Sequence, residues 1–201
     1  MSKETLDLWF DTSCPWAWMT SRWSLEVAKV REVEVKFHPM SLNFLNRDKD
    51  ISDDYRALMD RALAPMRIVT AAIAEHGEEV AEPLYTAIGT RIHPGGEQDF
   101  DKAVSESLAE VGLPAGLMKY GQTDDYDAAL QASHDEGLAL VGDEVGTPIC
   151  RVAGTAFFGP VVTPAPKGED AGRLFDGVLA VASTPGFFEL KRTRDQGPNF
   201  D

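Results

Sequence analysis

The chain has 201 residues, of which 43% are hydrophobic, and a net charge of −14. That length supports one sizeable core, or a domain carrying a large insertion, and the composition is that of a folded globule. An acidic surface repels phosphate backbones, which argues against nucleic acid, and no apolar run reaches the roughly 18 residues that a membrane span needs. The acids are scattered, as on a solvated surface.

The start, Met1 to Thr5, has no basic stretch followed by an apolar one, so no secretion signal is expected and the cytoplasm is the predicted location. In such a reducing compartment Cys14 and Cys150 are not expected to form a structural disulfide. His38, His76, His93 and His134 show no metal-ligand spacing with one another or with the cysteines, so no metal is predicted.

Thr5 to Phe10 alternates, with Leu6, Leu8 and Phe10 set against Asp7 and Trp9, and reads as a strand. Asp11-Thr12-Ser13 is a turn. Pro15 suits the first turn of a helix, where its missing N–H costs nothing, and that helix continues from Trp16 to Lys29. Val33 to His38 is a second strand, ended by Pro39.

The stretch from Ser41 to Gly142 reads as helical. Ser52 caps a helix from Asp53 to about Ala62, and Pro65 opens the next, which Gly77 closes. A third covers Glu78 to Ile92 with a bend near Pro83. Asp99 or Asp101 starts a fourth that stops at Gly112, and Thr123 caps a fifth from Asp124 to Val141. Strands return at Thr147–Val152 and Thr155–Phe158, joined by a tight turn at Ala153-Gly154. Gly168 to Ala182 is the final helix, and Lys191 to Asp201 is a polar tail.

The order β-α-β, a helical block, then β-β-α predicts an α/β protein with an all-helical insert. The expected division is residues 1–40 plus 143–201 for the sheet-bearing domain and 41–142 for the insert.

Cys14 stands where a strand and turn hand over to a helix. Free backbone N–H groups and the helix dipole favour an anion there, so the thiol is expected to ionise below the free-cysteine value of about 8.5. Val145-Gly146-Thr147-Pro148 opens the strand after the helical block. Composition alone makes Pro148 an ordinary trans proline, but resemblance to thioredoxin-like folds, where a Thr-Pro at this place is cis and lies against the active cysteine, implies a cis bond before Pro148 and a place beside Cys14.

The segments FDTSCPWAWMTSRWSLEVAK, SLNFLNRD, EPLYTAIGTRIH, VGTP, FFGPV and FFELKRTR together resemble the DsbA-like, mycothiol-dependent nitroreductases of actinobacteria, nearly end to end. The resemblance implies a thioredoxin fold with a large all-helical insertion, a thiol–disulfide oxidoreductase with Cys14 as nucleophile and Pro148 beside it, and mycothiol or another low-molecular-weight thiol as reductant. It implies a disulfide or nitro-aromatic substrate, with Trp16, Asn46, Tyr55 and Thr147 binding thiol or substrate. From the residues alone, Trp16 offers a flat apolar wall, while Asn46 reads as a turn residue and Tyr55 as a helix aromatic. A homodimer is left open.

The family's motif is Cys-Pro-Trp-Cys, and this chain has Ala17 in the last place. A two-cysteine site attacks with one thiolate and resolves with the other, and Ala17 cannot resolve. Ala17 is either the natural residue of a one-cysteine member or a replacement for cysteine; its size favours replacement, since natural one-cysteine sites more often carry a polar residue. Cys150, two residues beyond Pro148, points to the same strand face and is the remaining candidate for resolution, although a central strand residue more often packs in the core.

Trp9, Trp18 and Trp23 read as packing residues, His38 as a surface histidine, and His93 as a helix-end residue with access to the pocket. Two other readings compete: a thiol-dependent isomerase or transferase of the kappa type, which usually carries Ser in place of Cys14, and a thiol-trapping binding module without turnover. No GxGxxG follows a strand, so no nucleotide cofactor is expected.

Overall fold

The computed structural model describes residues 3–200. Its sheet has four strands, β1 (Glu4–Phe10), β2 (Val33–Pro39), β3 (Ile149–Val152) and β4 (Thr155–Phe158), in the order β2-β1-β3-β4. β1 runs parallel to β2, with Leu8 opposite Phe37, and antiparallel to β3, with Leu8 opposite Cys150. β3 and β4 form a hairpin whose turn residues, Ala153 and Gly154, both have positive φ (51° and 77°), which matches the twist of the flanking strands.

α1 (Pro15–Val30) makes the crossover that parallel strands require. α7 (Gly168–Ala182) packs beside it. The Trp23 indole Nε1 donates to the Ala171 carbonyl at 3.1 Å, and Arg31 ion-pairs with Glu169 and Asp176. Leu6, Leu8 and Phe10 lie in the same apolar core as Trp18, Trp23 and Phe175. The alternate residue Trp9 belongs to a second cluster with Met40 and Ile149, so β1 is covered on both faces.

What covers the Trp9 face is α6 (Asp127–Val141). The indole Nε1 of Trp9 donates to the Ser133 carbonyl at 3.0 Å, and a Cβ at Gly137 would lie 2.9 Å from the Trp9 ring, so the helix can approach this closely only with glycine there. His38 stacks on Trp9 at 4.6 Å and meets Asp7 at 2.8 Å, and Arg151 holds the other Asp7 oxygen at 3.0 Å. Trp9, Trp18 and Trp23 are all packing residues, as expected.

Between β2 and β3 lie α2 (Leu42–Asn46), α3 (Asp53–His76), α4 (Ala81–Ile92), α5 (Phe100–Glu110) and α6, with short 3-10 turns at Glu78–Val80 and Ala115–Gln122. Three expectations are corrected. The two helices divided at Pro65 are one helix, α3, with Pro65 inside it. An internal proline costs about 3 kcal/mol, and the buried run of Ala62, Pro65, Met66, Ile68 and Val69 carries the helix through. Thr123 does not cap α6. Its hydroxyl donates to Asp125 at 2.9 Å, and the helix starts at Asp127 rather than at the expected Asp124. Pro83 falls in the first turn of α4 rather than at a bend.

Candidate active site around Cys14

β1 ends at Phe10, and the turn after it is built around Asp11. One carboxylate oxygen accepts from the Ser13 N–H (2.8 Å) and the Ser13 hydroxyl (2.7 Å), and the other accepts from the Leu42 N–H (2.8 Å). Asp11 is fully buried and ties the turn to the start of α2. Its main-chain carbonyl accepts from the Cys14 N–H at 3.1 Å.

Cys14 is itself the N-cap of α1. Its backbone is extended, and its Sγ accepts the Ala17 N–H at 3.4 Å, the place that a serine oxygen takes in many helices. Pro15 follows as the first helical residue. On the other side, the thiol donates to the Thr147 carbonyl at 3.3 Å. The Thr147–Pro148 bond is cis, as expected. The Thr147 hydroxyl donates to the Trp9 carbonyl at 2.6 Å, which fixes this loop to β1.

The expected lowering of the Cys14 pKa is not found. Burial pushes the thiol up to about 12. The Ala17 N–H pulls it down, as the helix end should, the Asp11 carboxyl pushes it up, and the Arg194 guanidinium pulls it down. With Cys14 only 6% exposed, loss of hydration outweighs the helix end. The bond to the Thr147 carbonyl acts in the same direction, because it needs the sulfur's proton.

Three other groups face the turn. The His93 imidazole, at the end of α4, donates from Nε2 to the Thr12 carbonyl at 3.0 Å, and burial pushes it down to about 4, so it is neutral at pH 7. Tyr55, in the first turn of α3, is 37% exposed, and burial together with the Cys14 thiol and the Asp11 carboxyl raises its phenol. The Thr12 hydroxyl is buried without a hydrogen-bond partner.

The structure thus brings Thr147 against Cys14 and puts Tyr55 within reach of its field, and Trp16 lies in the same helical turn. Asn46 is different. Its amide is turned back on α2 and donates to the Leu42 carbonyl at 2.8 Å. Cys150 is buried in the middle of β3, within the same core as Cys14, and burial raises its thiol. Sequence reasoning passed over Asp11, taken only as a turn residue, and Arg194, taken as tail. The Asp-x-Ser spacing just before Cys14 was a readable signal for the first; nothing local pointed to the second.

The strand order, the cis-proline loop and the cysteine at the start of α1 define a thioredoxin-fold protein of the DsbA-like arrangement. A family model described as Rv2466c-like, mycothiol-dependent nitroreductase Rv2466c, matches residues 13–192, and the chain belongs to that family. It is 28% identical over 198 residues to the uncharacterized protein Rv2286c of Mycobacterium tuberculosis, covering 94% of this chain and 82% of that one.

Among solved structures it is similar to SCO1869 of Streptomyces coelicolor, described as a probable DsbA oxidoreductase. The TM-score is 0.60 and the identity 16%, over 98% of this chain and 97% of that one. It is also similar to the cytosolic disulfide reductase DsbM of Pseudomonas aeruginosa, solved with GSH. There the TM-score is 0.57 and the identity 15%, over 88% of this chain and 99% of that one. At these identities the two structures speak for the fold.

Proposed function

We propose that the protein is a cytoplasmic thiol–disulfide oxidoreductase that uses Cys14 as nucleophile and mycothiol as reducing co-substrate. The observation that carries this reading is Cys14 Sγ held between the Ala17 N–H and the Thr147 carbonyl, next to Pro148. A sulfur at that position meets the cis-proline loop on one side and a helix N-terminus on the other. The helix end favours the developing thiolate once the thiol loses its proton. Membership of the nitroreductase family supports the choice of thiol, and two unpaired cysteines accord with a reducing compartment.

In the exchange, the Cys14 thiolate attacks one sulfur of a disulfide. A bond from Cys14 to that sulfur forms as the old S–S bond breaks, and the other sulfur leaves as a thiolate. Ala17 offers no second sulfur, and Cys150 is buried in β3. Release therefore falls to an external thiol, which attacks the adduct and returns Cys14 as thiolate. These two steps leave a mixed disulfide of the substrate sulfur and the small thiol. A second small thiol attacks it and frees the substrate sulfur, so the net change is one disulfide reduced and two small thiols oxidised to a disulfide.

The same two thiols can supply two electrons and two protons to a nitro-aromatic, giving the nitroso compound and water. In that reaction Trp16 would serve as the wall against the ring, with Tyr55 and Asn46 on the side of α2 and α3. The backbone of Thr147 suits a polar thiol lying beside Cys14. Residues 1–40 and 143–201 would then form the thioredoxin-like domain that carries the nucleophile, and residues 41–142 the helical domain that closes the pocket.

The test is steady-state reduction of a small disulfide with excess thiol. Turnover is expected for the chain as it stands and its loss for Cys14→Ser. Equal turnover of both would overturn the reading. An adduct on Cys14 without turnover would leave a thiol-trapping binding module in its place.

A further inference from the structure

The C-terminal segment, residues 187–200, has neither helix nor strand, yet it returns to the active site. It leaves α7 with Phe187 against Phe157 of β4, the ring centroids 5.8 Å apart. It then stands away from the body, with Phe188 and Leu190 each 86% exposed. Arg194 brings it back, with the guanidinium carbon 5.2 Å from the centre of the Trp16 ring, in the helical turn that begins at Cys14.

Beyond Arg194 the segment is pinned. The Gln196 amide donates to the Thr163 carbonyl at 3.4 Å, and the Asn199 N–H donates to the Thr163 hydroxyl at 2.7 Å. Phe200 lies 5.7 Å from His93, the residue that holds the Thr12 carbonyl. The loop that carries Thr163 is itself fastened to α1, because the Thr20 hydroxyl donates to the Pro160 carbonyl at 2.7 Å. These anchors hold the segment at Phe187 and at Gln196, Asn199 and Phe200, on both sides of Arg194.

We propose that residues 187–200 act as a strap that holds the Arg194 guanidinium at the mouth of the Cys14 site, making Arg194 the positioning residue that favours the thiolate. This rests on Cys14 being the nucleophile. The charged and titratable groups around Cys14 give Arg194 its importance. Asp11, from the turn, carries a field that opposes the thiolate; Tyr55, from α3, is uncharged with its phenol raised; His93, from α4, is neutral at pH 7. Tyr85, from α4, also faces Cys14 and is uncharged, burial raising its phenol, and Arg194 is the cation among the main influences on the Cys14 thiol. A guanidinium stacked on tryptophan keeps its charge while its flat face is held by the ring. Because the strap is held by a few surface contacts, it can lift to admit a substrate and settle again.

The test is the rate of Cys14 alkylation by iodoacetamide, read by peptide mass, in the full chain. Alkylation reports on the thiol whether or not the protein turns over, so its outcome is separable from the oxidoreductase reading. Below the midpoint the rate follows the thiolate fraction. Removing a nearby cation lowers the thiolate fraction, so Arg194→Gln should slow the reaction by about a few-fold. Arg194→Lys should keep most of the rate. The rate of the parent chain should fall with added salt, and that of Arg194→Gln should not. Thr163→Val, which removes the acceptor for the Asn199 N–H, should give part of the same loss with Arg194 still present. An unchanged or faster rate in Arg194→Gln would overturn the proposal, as would a Lys variant as slow as the Gln variant or a Thr163→Val chain that reacts like the parent.

Discussion

Introducing a second sulfur at position 17 should convert the proposed exchange from intermolecular to intramolecular release. Ala17 is the third residue of α1, it is fully buried, and its N–H points at the Cys14 sulfur from 3.4 Å. Side chains three apart on a helix have Cβ atoms about 5–6 Å apart against about 3.5–4.5 Å in a disulfide, so the bond at Ala17→Cys closes with a shift of roughly 1–2 Å at this helix end. The substitution costs about half a kcal/mol of helix propensity and on the order of 1 kcal/mol for one more buried heavy atom, which a folded domain tolerates.

The kinetic gain is larger. An internal thiol acts at an effective concentration of about 1 mM or more. Against an external thiol at about 10 µM, the internal attack on a Cys14 adduct should be roughly 100-fold faster. The assay is the lifetime of the Cys14 mixed disulfide in each form, together with the free-thiol count after mild oxidation. Ala17→Cys should shorten the lifetime and lose two thiols into an internal bond, while the parent keeps both cysteines free. A parent chain that already closes an internal disulfide would show that Cys150 resolves. An Ala17→Cys chain with an unchanged lifetime would refute the placement of residue 17 beside the reacting sulfur.

Other changes test the surroundings. Cys150→Ala should leave exchange at Cys14 unaltered while costing about 1 kcal/mol in urea unfolding; loss of exchange would give Cys150 a chemical role. Gly89→Ala would drive a Cβ into the buried ring of Trp18, on the helix that carries Cys14. Overpacking of about 1–3 kcal/mol, offset by about 1 kcal/mol of helix propensity, should leave a net loss of up to about 2 kcal/mol, and a gain would contradict the packing.

At the sheet, burial raises the Asp7 carboxyl, but the bonds from His38 and Arg151 lower it by more. Ionised Asp7 therefore stabilises the fold above its ordinary value of 3.8, and this contribution is lost as pH falls through the lower folded value. Asp7→Asn should flatten the acid limb of the stability profile below about pH 4, and an unchanged limb would show that the cluster contributes nothing.

Elements with local punctuation were legible in the sequence. α1 begins at Pro15, the β3–β4 turn falls on Ala153-Gly154, and α7 spans Gly168 to Ala182, each where local residues place it. What escaped is governed by tertiary contacts. α3 runs through Pro65 because its buried face outweighs the proline, and α6 begins without Thr123 because that hydroxyl finds Asp125.

The site divides in the same way. Cys14, Thr147 and Pro148 were recognisable from their places between elements. The burial that holds Cys14 as a thiol was not, since it depends on a loop and a helical block distant in sequence. The tail reads as polar and unstructured, and only the fold shows that Arg194 comes back to Trp16.

The central claim is that Cys14 exchanges with a small thiol, and peptide mass spectrometry after incubation with the disulfide of mycothiol tests it most directly. The account predicts one thiol added to the peptide that carries Cys14, none on Cys150, and no addition in Cys14→Ser. An adduct on Cys150, or no adduct on Cys14 under conditions where free cysteine exchanges readily, would contradict it.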